Sequence, residues 1–274
     1  MKKLLAILLI AALTLTFVAC GNGAKNNETT APEDGTGTDL TGEAEPDGGQ
    51  LSLRVIDGAG TGRFTLAGKE SGDVYTASAD ELTVYVDGKA ATPADLQNGM
   101  TLTVEPGYEL LETWPAQFTG ATVYAQSPDK EDHGDLCGLY LTVLEDLWTN
   151  DAGLNSGITY LSVDLADAPG ELTEGEKAAL AWIFAGRHDA QSLTFGFEEL
   201  KENGYVNEAE LYWKDGLLFS IKATDNVKQS AKKITFDAEK WRSGTGAIFF
   251  TGCTASRGKG VAWEAYETGG FAIA

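Results

Sequence analysis

From Leu51 onward apolar residues alternate with polar ones in short runs, and that period of two restricts the chain to strands with one buried face. Leu51, Leu53 and Val55 set the pattern, and Phe64 with Leu66 repeats it, as do Leu82, Val84 and Val86. Met100, Leu102 and Val104 follow, then Ala121, Val123 and Ala125. Asp87-Gly88 is the strongest hairpin signal, because a two-residue turn of the favoured hand needs positive φ at both positions. Pro93 to Gly99 reads as a helical turn or loop ending on glycine. Five or six strands in so short a stretch would leave exposed edges unless they close. Residues 51–126 are therefore expected to form a small all-β barrel.

What precedes Leu51 cannot join such a core. Lys2 and Lys3 begin the chain, an uncharged apolar run spans Leu4 to Val18, and Ala19 stands before Cys20. A basic start, a short apolar stretch and a small residue at the cleavage point mark an export signal over residues 1–19. The run is shorter than the roughly 20 apolar residues a membrane-spanning helix needs. Phe17-Val18-Ala19-Cys20 resembles the lipobox of bacterial lipoproteins, with Phe17 in place of the usual leucine. That resemblance implies that the Cys20 thiol carries a diacylglyceryl group and begins the mature chain. Residues 21–50 hold seven carboxylates against the single Lys25 and almost no large apolar side chain. Residues 20–50 are expected to be the lipidated cysteine and a disordered tether, reaching on the order of 30 Å.

A second resemblance lies inside the expected barrel. Asp95-Leu96-Gln97-Asn98-Gly99-Met100 leads to a strand, then Leu111-Glu112-Thr113-Trp114-Pro115-Ala116-Gln117 leads to the last one. Residues 52–126 thereby resemble a family of small uncharacterised lipoprotein domains with Asp-Leu-Lys-x-Gly and Glu-Ser-Tyr-Pro-Ala-Gln. Thr113 and Trp114 replace Ser-Tyr. The resemblance implies an OB-like barrel in an extracytoplasmic, Gram-positive setting, and it supplies no activity. Pro115 fixes φ and keeps its position out of a central strand. Trp114 is expected to plug one end of the barrel, with a ligand-stacking role as the alternative.

Residues 127–136 read as a polar, solvated hinge around His133. Their spacing fails the calcium-loop pattern, since Tyr140 stands where the glutamate should be. Residues 137–274 read as an α+β domain. Leu139 to Trp148 is apolar at helical spacing and stops at Asn150 to Gly153. Ile158 to Leu165 alternates as a strand. Thr173-Glu174-Gly175-Glu176 is a capping box opening a helix to about Gly186. Phe197 to Asn203 is a short helix closed by Gly204. Strands are expected at Glu208–Trp213, Leu217–Ala223, Lys233–Ala238, Ala247–Thr254 and Val261–Tyr266. Helices first and an antiparallel meander after them is by analogy an NTF2-like or cystatin-like plan.

Charge narrows the partners. Removing residues 1–19 takes away Lys2 and Lys3, so 20 basic residues become 18 against 41 acidic ones, or −23. Such a surface repels phosphate backbones, so no nucleic-acid partner is expected. Catalytic patterns are equally sparse: there is no Gly-x-Ser-x-Gly elbow, Cys-x-x-Cys or His-Glu-x-x-His, and His133 and His188 are the only histidines. His188 suits a helix end, where a cation complements the dipole. The glycine-rich stretches 58–63 and 257–260 lack phosphate-loop spacing and suit turns between strands. Neighbouring acids such as Glu145 with Asp146, Glu198 with Glu199, and Glu208 with Glu210 follow from composition. Cys137 and Cys253 could pair in an oxidising setting or stay buried as thiols.

One constellation around residues 240–247 has binding chemistry. Trp241 offers a flat face, Arg242 a planar fork, and the glycines that follow allow close approach. The alternative is a strand connection with Trp241 in the core. Taken together, the residues lead to a non-enzymatic, lipid-anchored surface protein that needs no cofactor or metal. It is expected as a monomer, held to the membrane through Cys20, that meets a cell-envelope protein or glycan. Trp241, Arg242 and Trp114 are its candidate ligand residues. A glycan- or solute-binding lipoprotein and a hydrolase carried by residues 137–274 are the alternatives.

Overall fold

The computed structural model describes residues 50–128, 132–224, 230 and 232–274. The expected signal, Cys20 and nearly all of the tether lie outside the described residues. Two β-rich parts follow one another: a closed five-stranded mixed barrel, then a curled mixed sheet, a half-barrel, with a few helices.

The first part contains β1 (Leu51–Asp57), β2 (Arg63–Gly68), β3 (Val74–Ser78), β4 (Leu82–Val86), β5 (Lys89–Ala91), β6 (Thr101–Val104), β7 (Glu109–Leu111) and β8 (Ala116–Gln126). β1, β2 and β3 form an antiparallel meander, and β3 lies parallel to β8. β8 pairs antiparallel with β6, and β6 with β1, which closes the ring. Its interior is filled by residues such as Leu53, Val55, Phe64, Leu66, Leu102, Phe118 and Val123. Asp87 and Gly88 have φ of 48° and 76°, as the β4–β5 turn requires.

β1, β2 and β3 are buried on both faces. Inward residues alternate with Ile56, Ala67 and Val74, which belong to the core of the second part. A strand wet on one side would not place apolar side chains there. The helix that opens at Thr173 covers that side of β2, and Glu45–Ala274 is one compact unit. The polar segment before residue 136 therefore does not separate two independent globules.

The second part opens with α1 (Leu136–Thr149), then β9 (Tyr160–Asp164), α2 (Glu174–Arg187), β10 (Gln191–Leu193) and α3 (Phe197–Glu202). β11 (Gly216–Ala223), β12 (Lys233–Ser243), β13 (Gly246–Arg257), β14 (Trp263–Glu267) and β15 (Gly270–Ile273) complete it. The sheet order is β10-β9-β11-β12-β13-β14, with β15 also on β13. β10 and β11 both run parallel to β9, which corrects the expected antiparallel sheet. The α2 crossover returns the chain in the same direction into β10, and the connection through α3 does so again into β11. Glu208–Trp213 is not a strand. Leu211 has φ of 47°, and Trp213 turns inward to pack, fully buried, with Leu200, Val206 and Leu218. Cys137 and Cys253 are both buried free thiols.

Candidate functional site

Described residues 132–135 are bonded at the joint between barrel and half-barrel, not solvated as expected. Arg54, pointing outward from β1, presents Nη1 and Nη2 to the two carboxylate oxygens of Asp132, both at 2.9 Å. Its Nη1 also donates to Gly99 O at 2.8 Å. Its Nε lies 2.6 Å from Glu176 Oε1, a close ion pair rather than an aligned hydrogen bond. His133 Nε2 reaches the same oxygen at 3.3 Å. Glu176 Oε2 accepts the Thr173 N–H, while Thr173 Oγ1 accepts the Glu176 N–H, so the expected capping box is present. One carboxylate thus both starts α2 and ties it to β1.

Burial pushes the Glu176 carboxyl up, but His133, Arg54 and the Thr173 N–H outweigh it and hold it below its ordinary value. Asp132 behaves likewise: burial raises it, and Arg54, the Gly134 N–H and His133 bring it below the usual carboxylate range. On the other side, Arg257 donates to Asp132 O, and Trp263 Nε1 donates to His133 O at 2.7 Å. Gly134 makes this closeness feasible. Its φ is +62°, and a Cβ there would lie 2.4 Å from Val261 O.

Beside the joint, between α1 and β14, lies a cleft of about 240 Å³. Asp135, Leu139, Thr142, Trp263, Glu264 and Tyr266 are among its walls. Asp135 is the N-cap of α1, and its Oδ1 accepts the Gly138 N–H at 2.9 Å. Burial pushes its carboxyl up to about 6 and the charge of Asp57 adds to this, while the Gly138 N–H, Arg54 and His133 oppose it. A partly buried acid with a raised pKa beside aromatic rings in a concavity can accept or donate a proton near neutrality.

The raised value carries a sign. The folded state penalises the Asp135 anion fully above about pH 6, and the penalty fades as pH falls towards the ordinary value of 3.8. Asp135→Asn keeps a capping side chain and is expected to stabilise the protein by about 2 kcal/mol at pH 7. Urea titrations should show that gain shrinking to nothing near pH 4. An equal gain at both pH values would contradict it.

The residues expected to bind ligand lie elsewhere, Trp241 and Arg242 adjacent in β12 and Trp114 in the barrel between β7 and β8. Arg242 donates to Leu154 O, to Ser156 O at 2.8 Å and to Lys214 O at 2.6 Å, so its fork is occupied by backbone. Trp241 packs edge-on against Phe197, with ring centroids 5.0 Å apart, in the β12–β13 hairpin. Trp114 is 64 % exposed, which corrects its expected role as a barrel plug. Phe118 and its neighbours already fill that interior. Trp114→Ala should accordingly change stability by less than about 0.5 kcal/mol in thermal denaturation.

His188 caps α2, as expected, but its Nε2 also lies 3.0 Å from Glu145 Oε2 and its ring stacks on Trp148 at 3.8 Å. A second concavity of about 400 Å³ lies on the barrel, where Asp80, Glu81, Glu105 and Tyr108 are among its walls. Among the described residues, no cluster of His, Cys, Asp and Glu could hold a metal ion.

The cleft was not legible in advance. By composition Asp135 belongs to the polar stretch 127–136, and Trp263 and Tyr266 have only the pattern of strand residues. The available signal was Asp135 three residues before Gly138, a helix cap. No family model matches the chain, and no curated protein matches it in sequence.

Proposed function

We propose that this protein is a lipid-anchored, extracytoplasmic surface protein whose folded unit is a non-enzymatic binding module. The observation that carries the binding reading is the α1–β14 cleft, which sets an acid of raised pKa beside Trp263 and Tyr266. Its surroundings support the same reading. The cleft is walled by a capped helix and a sheet strand and backed by the Arg54–Glu176–Asp132 cluster, so little would be lost in ordering it on binding. Anchoring through Cys20 rests on the residues that precede it, since two acyl chains give stable membrane attachment. The chain is proposed to act as a monomer, without a nucleic-acid partner, on a cell-envelope protein or glycan. Its barrel is proposed to be OB-like. Support comes from the closed order β1-β2-β3-β8-β6, with β3 and β8 parallel, and from the resemblance over residues 52–126.

Two measurements test this. Mass spectrometry of the native product should find a diacylated N-terminal Cys20, and Cys20→Ser should release the protein from the membrane fraction. Titration with cell-wall saccharides should change tryptophan fluorescence in the parent protein and not in Trp263→Ala. Unmodified Cys20 would end the anchoring claim, and an unchanged response in Trp263→Ala would end the claim for this cleft.

A hydrolase is the second reading, favoured by the raised pKa of Asp135 and by Glu264 in the same cleft. It requires cleavage of 4-nitrophenyl glycosides that Asp135→Asn abolishes.

A further inference from the structure

The walls of the α1–β14 cleft are one-sided in charge. Asp135 and the exposed Glu264 are both among them, and among the described residues no lysine, arginine or histidine lines it. Asp135 Oδ1 is held by the Gly138 N–H, while Oδ2 makes no hydrogen bond among the described residues. Thr142 Oγ1 spends its proton on Gly138 O, leaving its lone pairs to accept. Trp263 has its one polar hydrogen committed to His133 O, so only its apolar surface remains for a ligand. The Tyr266 hydroxyl is a donor on the same walls, and the other free polar side-chain atoms there are acceptors. A carboxylate, phosphate or sulfate would meet repulsion, and a neutral ligand, though its hydroxyls can donate, would leave the negative charge uncompensated. A cavity of about 240 Å³ has room for roughly eight waters at about 30 Å³ each, the size of one sugar ring or a short alkyl chain.

We infer that the cleft takes a small ligand bearing a primary ammonium group, an amino sugar or an alkylamine. The cation sits between the carboxylates of Asp135 and Glu264, and the ring or alkyl part lies on Trp263 and Leu139. This rests on the proposed binding role and names the ligand class for it. The ammonium donates three hydrogen bonds, matching the acceptors that the walls offer. Trp263 adds attraction for a cation over its face. The acidity of the whole chain, with 41 acidic residues against 20 basic, concentrates cations near its surface.

Proton linkage follows. The groups that set the charge at Asp135 are Asp57, Arg54 and His133 together with the Gly138 N–H, and Glu264 shares the cleft. An arriving ammonium favours the Asp135 anion, so binding expels the proton that the carboxyl holds below about pH 6. Affinity for an amine should therefore rise about tenfold between pH 5 and pH 7 and level off above.

The test is calorimetric titration of the full protein in amine-free buffers, at pH 5, 6 and 7, with D-glucosamine, putrescine, D-glucose, N-acetylglucosamine and glucuronate. The expected result is binding of one or both amines only, the pH dependence described, and proton release measured by comparing buffers of different ionisation enthalpy. Glucosamine without putrescine assigns an amino sugar, and the reverse assigns an alkylamine. Asp135→Asn, which retains the cap, should weaken amine binding about tenfold at pH 7 and flatten its pH profile. Equal binding of neutral sugars and amines, flat with pH, would overturn the ammonium inference while leaving the cleft a binding site. No binding by any probe would overturn both.

Discussion

Replacing Arg54 with alanine is expected to destabilise the protein by about 3–5 kcal/mol, because it leaves two carboxylates in a joint built around one guanidinium. Arg54 and Glu176 side chains are 5 % and 1 % exposed, so water cannot replace the lost partner. A double-mutant cycle with Glu176→Gln should return a coupling of about 1–3 kcal/mol in urea denaturation. Acid should expose the same dependence. Glu176 and Asp132 titrate below their ordinary range, so their stabilisation is present above the unfolded values and is lost as pH falls through the lower folded ones. The parent protein should resist acid below about pH 4, and Arg54→Ala should begin to unfold at higher pH. A variant as stable as the parent would mean that the two β-rich parts do not depend on this cluster.

Lys240→Ala is the second large expected loss, about 3–4 kcal/mol in the same denaturation measurement. Lys240 is fully buried in β12, and its Nζ donates to Trp148 O at 3.3 Å, Asn150 O at 2.7 Å and Asp151 O at 3.2 Å. Those carbonyls lie at and just beyond the C-terminal end of α1, where backbone acceptors lack helical partners and a cation suits the dipole. Burial pushes the amine down to about 8, with the charge of Asp151 opposing. Lys240→Met preserves most of the packing and removes the donors, so it should cost less than alanine and still about 2 kcal/mol. Equal losses for the two variants would assign the effect to packing alone.

The joint around Arg54 is legible in the sequence only in part. The capping box at Thr173 was visible because its partners are three residues apart. The ion pair from the same glutamate to Arg54 was invisible, since local spacing carries no information about a partner on another strand. The segment around His133 looked solvated because polar residues usually are. Here they pair with Arg54, Arg257 and Trp263 across a joint, and composition cannot distinguish the two cases.

β4, wet on one face, is legible, and so are β1 and β2 although both their faces are covered, whereas β3 is not. Val74 to Ala77 is wholly buried and shows no alternation of burial. β10 is three residues long and β15, Gly270–Ile273, four, both too short for a period to register. Arg242 illustrates the opposite error. Its chemistry suits a carboxylate ligand, yet the fold uses it to hold the carbonyls of Leu154, Ser156 and Lys214.

The sharpest test of the binding account is fluorine NMR of the full protein with 5-fluorotryptophan at its six tryptophans, titrated with a cell-wall saccharide mixture that includes amino sugars. The account requires the Trp263 resonance, assigned by Trp263→Phe, to shift while those of Trp114 and Trp241 stay in place. A shift confined to Trp114 or Trp241, or none at any tryptophan, would contradict it.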